Sequence, residues 1–205
     1  SDVYKRQDVW QMTKLASAEY LEYGVTTASA GGMPKALASL LGPMSEYNQI
    51  PLRVALFPWF NEVGSELVSG EVTLSEFSGG RVVVPRVKII ADGSIQGFTG
   101  YLSQPYHRPY KGDADYRGYP SVLREALFEQ VEGLYRQRVQ VAIHGNGDAS
   151  IEDALDAIEA AASKYPWPEA RPLIIHAQMT RKDQIDRMAA LGVTPVSYTH
   201  LRAHE

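Results

Sequence analysis

The chain of 205 residues has no cysteine, which excludes disulfide bonds, thiolate metal sites and a cysteine nucleophile. The same absence leaves the redox compartment open. No apolar run approaches the roughly 20 residues that span a bilayer, and no secretory leader pattern is present. The first residue is Ser1 rather than a methionine, so the missing leader carries no weight, and the compartment is undetermined with a preference for the cytoplasm. Basic clusters and RNA-binding aromatic motifs are also lacking, and the formal net charge of −4 argues against a nucleic-acid-binding surface. The expected partner is a small-molecule substrate, with no nucleic acid or membrane, and association between copies is left open. A hydrophobic fraction of 44% and a charged fraction of 21% are ordinary globular values. The length suits one good-sized core but falls short of the roughly 250 residues of a closed (β/α)8 barrel.

The stretch QVAIHGNGD, residues 140–148, joins an apolar run to a histidine and then to a glycine-rich break. Val139, Val141, Ala142 and Ile143 suit a strand buried on both faces, and Gly145 and Gly147 punctuate it at once. Ser150 then opens a helical pattern, with Asp153 at capping-box spacing and Ile151, Ala154, Leu155, Ile158, Ala161 and Ala162 on one stripe. RPLIIHAQ, residues 171–178, repeats the design: an apolar strand ends on His176, and Thr180 with Asp183 caps another helix. In a parallel α/β fold, polar residues at the carboxyl ends of strands face the ligand crevice. His144 and His176 are therefore expected to share one site.

From the beginning, residues 8–23 predict a helix closed by Gly24, and residues 24–29 a β-branched strand closed by Gly31 and Gly32. Residues 33–47 look helical, with Gly42 and Pro43 ending or kinking the helix, and residues 51–57 form the next strand. A short helix is expected over 61–69 and one long apolar strand over 82–91, interrupted by Pro85 and Lys88. Residues 92–119 show no period, only glycine, tyrosine, proline and histidine. A loop of that length in a compact domain is functional or disordered, and its aromatic content favours function. An amphipathic helix over 121–136 leads into the 139–143 strand, and a last strand covers 193–195. Strands separated by helices without hairpin signals predict parallel βα units, an open sheet or part of a barrel.

Lys88 stands out, because an apolar strand should not carry an ammonium through its middle without compensation. Alternation puts it on one face with Ile90 and Asp92. Three explanations compete: a snorkelling lysine, a salt bridge to Asp92, or a lysine chemically altered into a ligand. Asp92 and Ser94 begin the long loop as turn formers or substrate contacts, and Asp148 either orients His144 or caps a helix. Gln178 donates to an imidazole or simply ends its strand. Tyr101, Tyr106, His107 and Tyr110 line a pocket or plug the loop. The run from Gly145 to Ser150 also approaches the G-x-G-x-x-G phosphate cradle, but its third glycine is Ser150, and the next strand ends on His176 rather than an acidic residue.

Lys88 to Gly93 within VKIIADGS, His144 within AIHGNGD and His176 within IIHAQ resemble, in this order, the metal-dependent amidohydrolase superfamily, in its amidohydrolase-3 branch. The likeness runs over about residues 20–195. It implies a (β/α)8 TIM-type barrel of which this chain holds about strands 2–7, in a domain of residues 8–196. It also implies a metal site built from Lys88, often carboxylated at that position in the family, with His144 and His176. The implied cofactor is zinc or a similar divalent ion, one or two in the whole protein, suited to imidazole and oxygen ligands. The implied chemistry is hydrolysis of an amide-like or formamide-like C–N bond by metal-activated hydroxide. The family's first-strand histidine pair and eighth-strand aspartate base match nothing here, so no catalytic base is assigned and the chain is expected to be an inactive internal fragment. Asp92, Ser94, Asp148 and Gln178 are the expected substrate-contacting or ligand-orienting residues. A barrel remnant without metal is the alternative. Residues 1–7 and 197–205 resemble adapter-derived read-through and are set apart as non-native, including His200 and His204 at zinc-binding i, i+4 spacing.

Overall fold

The computed structural model describes residues 6–47 and 50–197, and the chain divides into two compact units, Ser1–Val87 and Lys88–Glu205. The pair His200 and His204, and most of the two ends set apart above, lie outside the described residues. Arg6 and Gln7 already belong to the first helix.

The first unit runs α1 (Arg6–Glu22), β1 (Thr27–Met33), α2 (Lys35–Glu46), β2 (Arg53–Pro58), α3 (Phe60–Ser69), a 3-10 turn (Leu74–Phe77) and β3 (Val82–Val83). Its strands pair in parallel in the order β1-β2-β3. Leu56, Val63 and Leu67 are buried at its core. Each such side chain contributes about 1.5–3 kcal/mol of burial. Gly31 and Gly32 do not close β1, as the sequence suggested; the strand continues through them and its pairing with β2 shifts register between Ala30 and Met33. A bulge absorbs the glycines. Nor do Gly42 and Pro43 end α2, which runs on to Glu46. Gly42 is there for proximity, since a Cβ on it would come within 2.4 Å of the Phe77 carbonyl oxygen. The apolar stripe expected of α1 lies largely open, with Trp10 and Leu15 exposed and Ser17 the buried position among its described residues.

The strand expected over residues 82–91 is two strands in different sheets. Val84 and Pro85 separate β3 from β4 (Arg86–Ile90), because a proline has no N–H to donate to a ladder. From Lys88 the second unit follows, through a long irregular segment to α4 (Arg124–Arg136), then β5 (Gln140–Gly145), α5 (Asp148–Lys164), β6 (Leu173–His176), α6 (Lys182–Leu191) and β7 (Thr194–Val196). The sheet order is β4-β5-β6-β7, with β5-β6 and β6-β7 parallel. Val141, Ala142, Ile143 and Ile174 are buried, as befits strands covered on both faces.

Charge pairing holds the helices of this unit side by side. The acidic face of α5 meets Arg124 of α4 through Asp153 and, at 2.7 Å, Asp156. Arg187 of α6 reaches Glu152 at 2.5 Å, Asp156 at 2.7 Å and Glu159 at 2.7 Å. Both helix starts differ from the expected caps. Gly147 caps α5, leaving Ser150 buried inside the helix with its Oγ unpartnered, and Arg181 rather than Thr180 caps α6, its N–H donating to Gln184 Oε1 at 3.1 Å. Among the described residues no helix is long and apolar enough to cross a membrane.

Candidate functional site

The site lies at the carboxyl ends of β4, β5 and β6. β5 delivers His144, whose side chain keeps 17% of its exposure, and β6 ends on His176. Register alone would separate the two rings. His144 pairs with Ile175 and Gly145 with His176, so uninterrupted alternation would send the two histidines to opposite faces. At this point β6 leaves strand geometry: His176 has φ +79° and Ala177 φ +47°, conformations that cost non-glycine residues about 1–3 kcal/mol each. The imidazoles then meet edge to face with ring centroids 4.3 Å apart. Backbone bonds from Ala177 N–H to the Gly145 carbonyl (3.0 Å) and from Met179 N–H to the Asn146 carbonyl (2.9 Å) hold the turn in place.

Lys88, on β4, is 5% exposed, which rules out snorkelling, and among the described residues it makes no ion pair with Asp92 or any other carboxylate. Burial brings its pKa down to about 8. The same desolvation, with the neighbouring His144 and Lys88 charges, takes His176 down to about 4. His144 is lowered as well, by burial first and by Lys88, against the opposing pull of the Gly93 carbonyl and Asp92. Three nitrogen bases are thus held towards their unprotonated forms, the state in which nitrogen can donate to a cation. Among the described residues no three His, Cys, Asp or Glu side chains cluster to hold a metal ion. The third member of this group is a lysine, which gains ligand character only on losing its charge.

Asp92 is a buried loop anchor rather than an exposed turn former, and its Oδ1 lies 3.5 Å from His144 Nε2. It is completely buried, and its carboxylate accepts N–H bonds from Asn146 (2.9 Å), Gly147 (2.8 Å) and Tyr101 (3.0 Å). Burial raises its pKa, and the three amides, which can only donate, oppose that by favouring the carboxylate. The β5–α5 loop and the long loop after β4 are thereby tied to one side chain. Gly147 is required in this arrangement, because a Cβ there would lie 1.9 Å from the Tyr101 carbonyl oxygen. The arrangement also disposes of the phosphate cradle: the amides of Asn146 and Gly147 are already engaged by the chain's own carboxylate.

Asp148 does not touch His144 and is not the helix cap. It accepts from Ser103 N–H at 2.9 Å, from Ser103 Oγ and from Arg181 at 3.0 Å. Burial pushes its pKa up, but Ser103 and Arg181 outweigh this and hold it below the usual carboxylate range. Ser94 is exposed and its Oγ accepts the Gly97 N–H at 3.0 Å, a turn-forming role, while Gln178 is exposed beyond the end of β6. In the long loop Phe98, Tyr106, Tyr110 and Tyr116 pack as one aromatic cluster with centroids 4.8–6.1 Å apart. Tyr106 and His107 line a cavity, whereas Tyr101 contributes through its backbone.

Asn146 was missed by the sequence reading. Its Nδ2 donates to the Gly93 carbonyl at 2.7 Å and lies 3.0 Å from His144 Nε2, which is itself 3.0 Å from the same carbonyl. Its only signal is a position two residues beyond His144, between the two glycines of HGNGD.

Known proteins share this arrangement of strands. The model of the amidohydrolase family, in its third branch, matches residues 5–204. The protein YtcJ of Bacillus subtilis (strain 168) is 31% identical over 132 residues, which cover 64% of this chain and 23% of YtcJ. A solved metal-dependent hydrolase from Pyrococcus furiosus, uncharacterized, superposes with a TM-score of 0.82 at 22% identity, over 100% of this chain and 41% of that one. Another, from Pyrococcus horikoshii OT3, gives 0.79 at 27% identity, over 97% of this chain and 38% of that one. The chain therefore spans under a quarter of the curated relative and about two fifths of the solved structures.

Proposed function

The chain belongs to the amidohydrolase family, and on that premise we propose that it carries part of the active site of a metal-dependent hydrolase that cleaves a C–N bond, amide-like or formamide-like. The observation that carries the reading is the edge-to-face pair His144 and His176 at 4.3 Å, kept neutral at neutral pH beside a buried lysine without an ion pair. The donor set fits a divalent ion such as zinc, with His144, His176 and, once carboxylated, Lys88 as its ligands. When bound, the metal supplies a Lewis acid that polarises the scissile carbonyl and makes water nucleophilic near neutral pH.

The chain's own residues do the positioning. Asp92 fixes the loop that follows His144, and Asn146 bridges that loop to the Gly93 carbonyl beside the ring. The bonds from Ala177 and Met179 hold His176 turned towards its partner. Asp148 locks Ser103 of the long loop to the start of α5. Ser94 and Gln178 are exposed beyond β4 and β6, where they can meet substrate. We further propose that β1, β2, the β3–β4 segment, β5, β6 and β7 form about strands 2–7 of a (β/α)8 barrel, within a domain of residues 8–196, and that this chain alone holds too little of the site for turnover.

In the longer protein, His176→Ala should abolish amide hydrolysis and remove bound metal together. Unchanged turnover would take His176 out of the site, and a metal-free, inactive longer protein would count against the whole reading.

A further inference from the structure

A cavity of about 560 Å³ opens in the second unit between the long loop and the segment after β6. Its volume falls in the range of about 300–1,000 Å³ typical of small-molecule sites. Ile95, Phe98, Leu102 and Met179 supply apolar lining. That wall is preformed: Phe98 packs against Tyr106 with ring centroids 5.1 Å apart, and Tyr106 is pinned by its hydroxyl donating to the Gly100 carbonyl at 2.8 Å.

Two arginines and one carboxylate, Asp148, also line the cavity, and the arginines differ in kind. Arg181 is engaged by Asp148 at 3.0 Å, Glu152 at 2.6 Å and Asp183 at 3.0 Å. Arg108 is exposed, and among the described residues its guanidinium has no ion pair or hydrogen bond. An apolar wall with one uncompensated guanidinium is complementary to a ligand that is apolar at one end and anionic at the other, because a planar fork of N–H donors matches a carboxylate. The cavity also adjoins the candidate metal ligands along the chain: Ile95 follows by two residues Gly93, whose carbonyl lies 3.0 Å from His144 Nε2, and Met179 follows His176 by three.

We propose that this cavity is the specificity site of the enzyme and takes an aryl or branched-alkyl group ending in a carboxylate, which Arg108 pairs. The assignment rests on the hydrolase reading for its link to chemistry: the substrate is an amide with such a group on one side of the C–N bond. Binding to the cavity itself needs no metal.

The test uses the 205-residue chain with methionine methyl groups labelled for NMR, the Met179 signal identified by its loss in Met179→Leu, and phenylacetate compared with the uncharged phenylacetamide. Phenylacetate should shift the Met179 methyl signal and bind about tenfold more tightly than phenylacetamide. Arg108→Gln should bring that ratio to about one without altering the fold, since the side chain is exposed. Absence of any shift at Met179, or a ratio that survives Arg108→Gln, overturns the proposal. Zinc uptake measured on the same sample separates the two claims. A Met179 response without zinc uptake upholds the cavity and removes the hydrolase reading, whereas zinc uptake without a Met179 response removes the cavity alone.

Discussion

Asp92 Oδ1 lies 3.5 Å from His144 Nε2, yet the short bonds of this carboxylate run to backbone amides instead. The acid two residues beyond the end of β4 thus acts first as a clamp on the loop that follows His144. Asp92→Asn keeps the shape but puts a carboxamide NH2 group where N–H donors converge, and should destabilise the chain by about 3 kcal/mol. Guanidinium denaturation at unchanged m-value measures this. A loss within about 0.5 kcal/mol would mean the clamp is dispensable.

Gly147→Ala tests the same clamp from its other end. The added methyl would meet the Tyr101 carbonyl oxygen at 1.9 Å, so the loop must move and the bond from Gly147 to Asp92 must lengthen. A destabilisation of about 1–3 kcal/mol is expected. Faster amide exchange should appear at Asn146 and Gly147, and unaltered exchange would contradict the packing described.

Lys88→Met should pull stability and metal binding in opposite directions. Replacing a buried ammonium that has no ion pair among the described residues by an apolar chain of similar length should stabilise the metal-free protein by about 1–3 kcal/mol. Metal uptake should fall. A variant that loses stability would show that Lys88 is well compensated where it sits.

His176 predicts how metal-free stability depends on pH. Its folded-state pKa of about 4 lies below the unfolded value of about 6.5, so between the two the unfolded chain binds a proton that the folded chain refuses. This contribution is fully present above about pH 6.5 and fades as pH falls towards 4. Urea midpoints at about pH 7 and about pH 5 should therefore differ more for the native chain than for His176→Gln. Equal differences would mean that His176 titrates normally.

What sequence showed and what it hid divide along range of contact. β5 and β6, each ending on a histidine, were legible because an apolar run and a following break are local signals. The break between β3 and β4 was half visible: Pro85 was noted, but its capacity to send the two halves into different sheets depends on which strands offer partners. Asp92 read as a turn former because its donors come from residues 101, 146 and 147, far along the chain. The caps misread at Ser150 and Thr180 have the same origin, since Gly147 is fixed by Tyr101 and Asp92 rather than by its helix. The turn at His176 was invisible for another reason. Period-two alternation describes a strand, and it was departure from strand geometry that brought the rings together.

Zinc binding is the most direct measurement of the central claim that Lys88, His144 and His176 belong to one metal site. Zinc affinity should be determined by competition with a chelator for the native chain, for His144→Ala and for His176→Ala, each confirmed as folded by circular dichroism. The account predicts zinc bound by the native chain and an affinity at least about tenfold weaker in each variant, as loss of a ligand requires. A native chain that binds no zinc, or variants that bind it as well as the native chain, would contradict it.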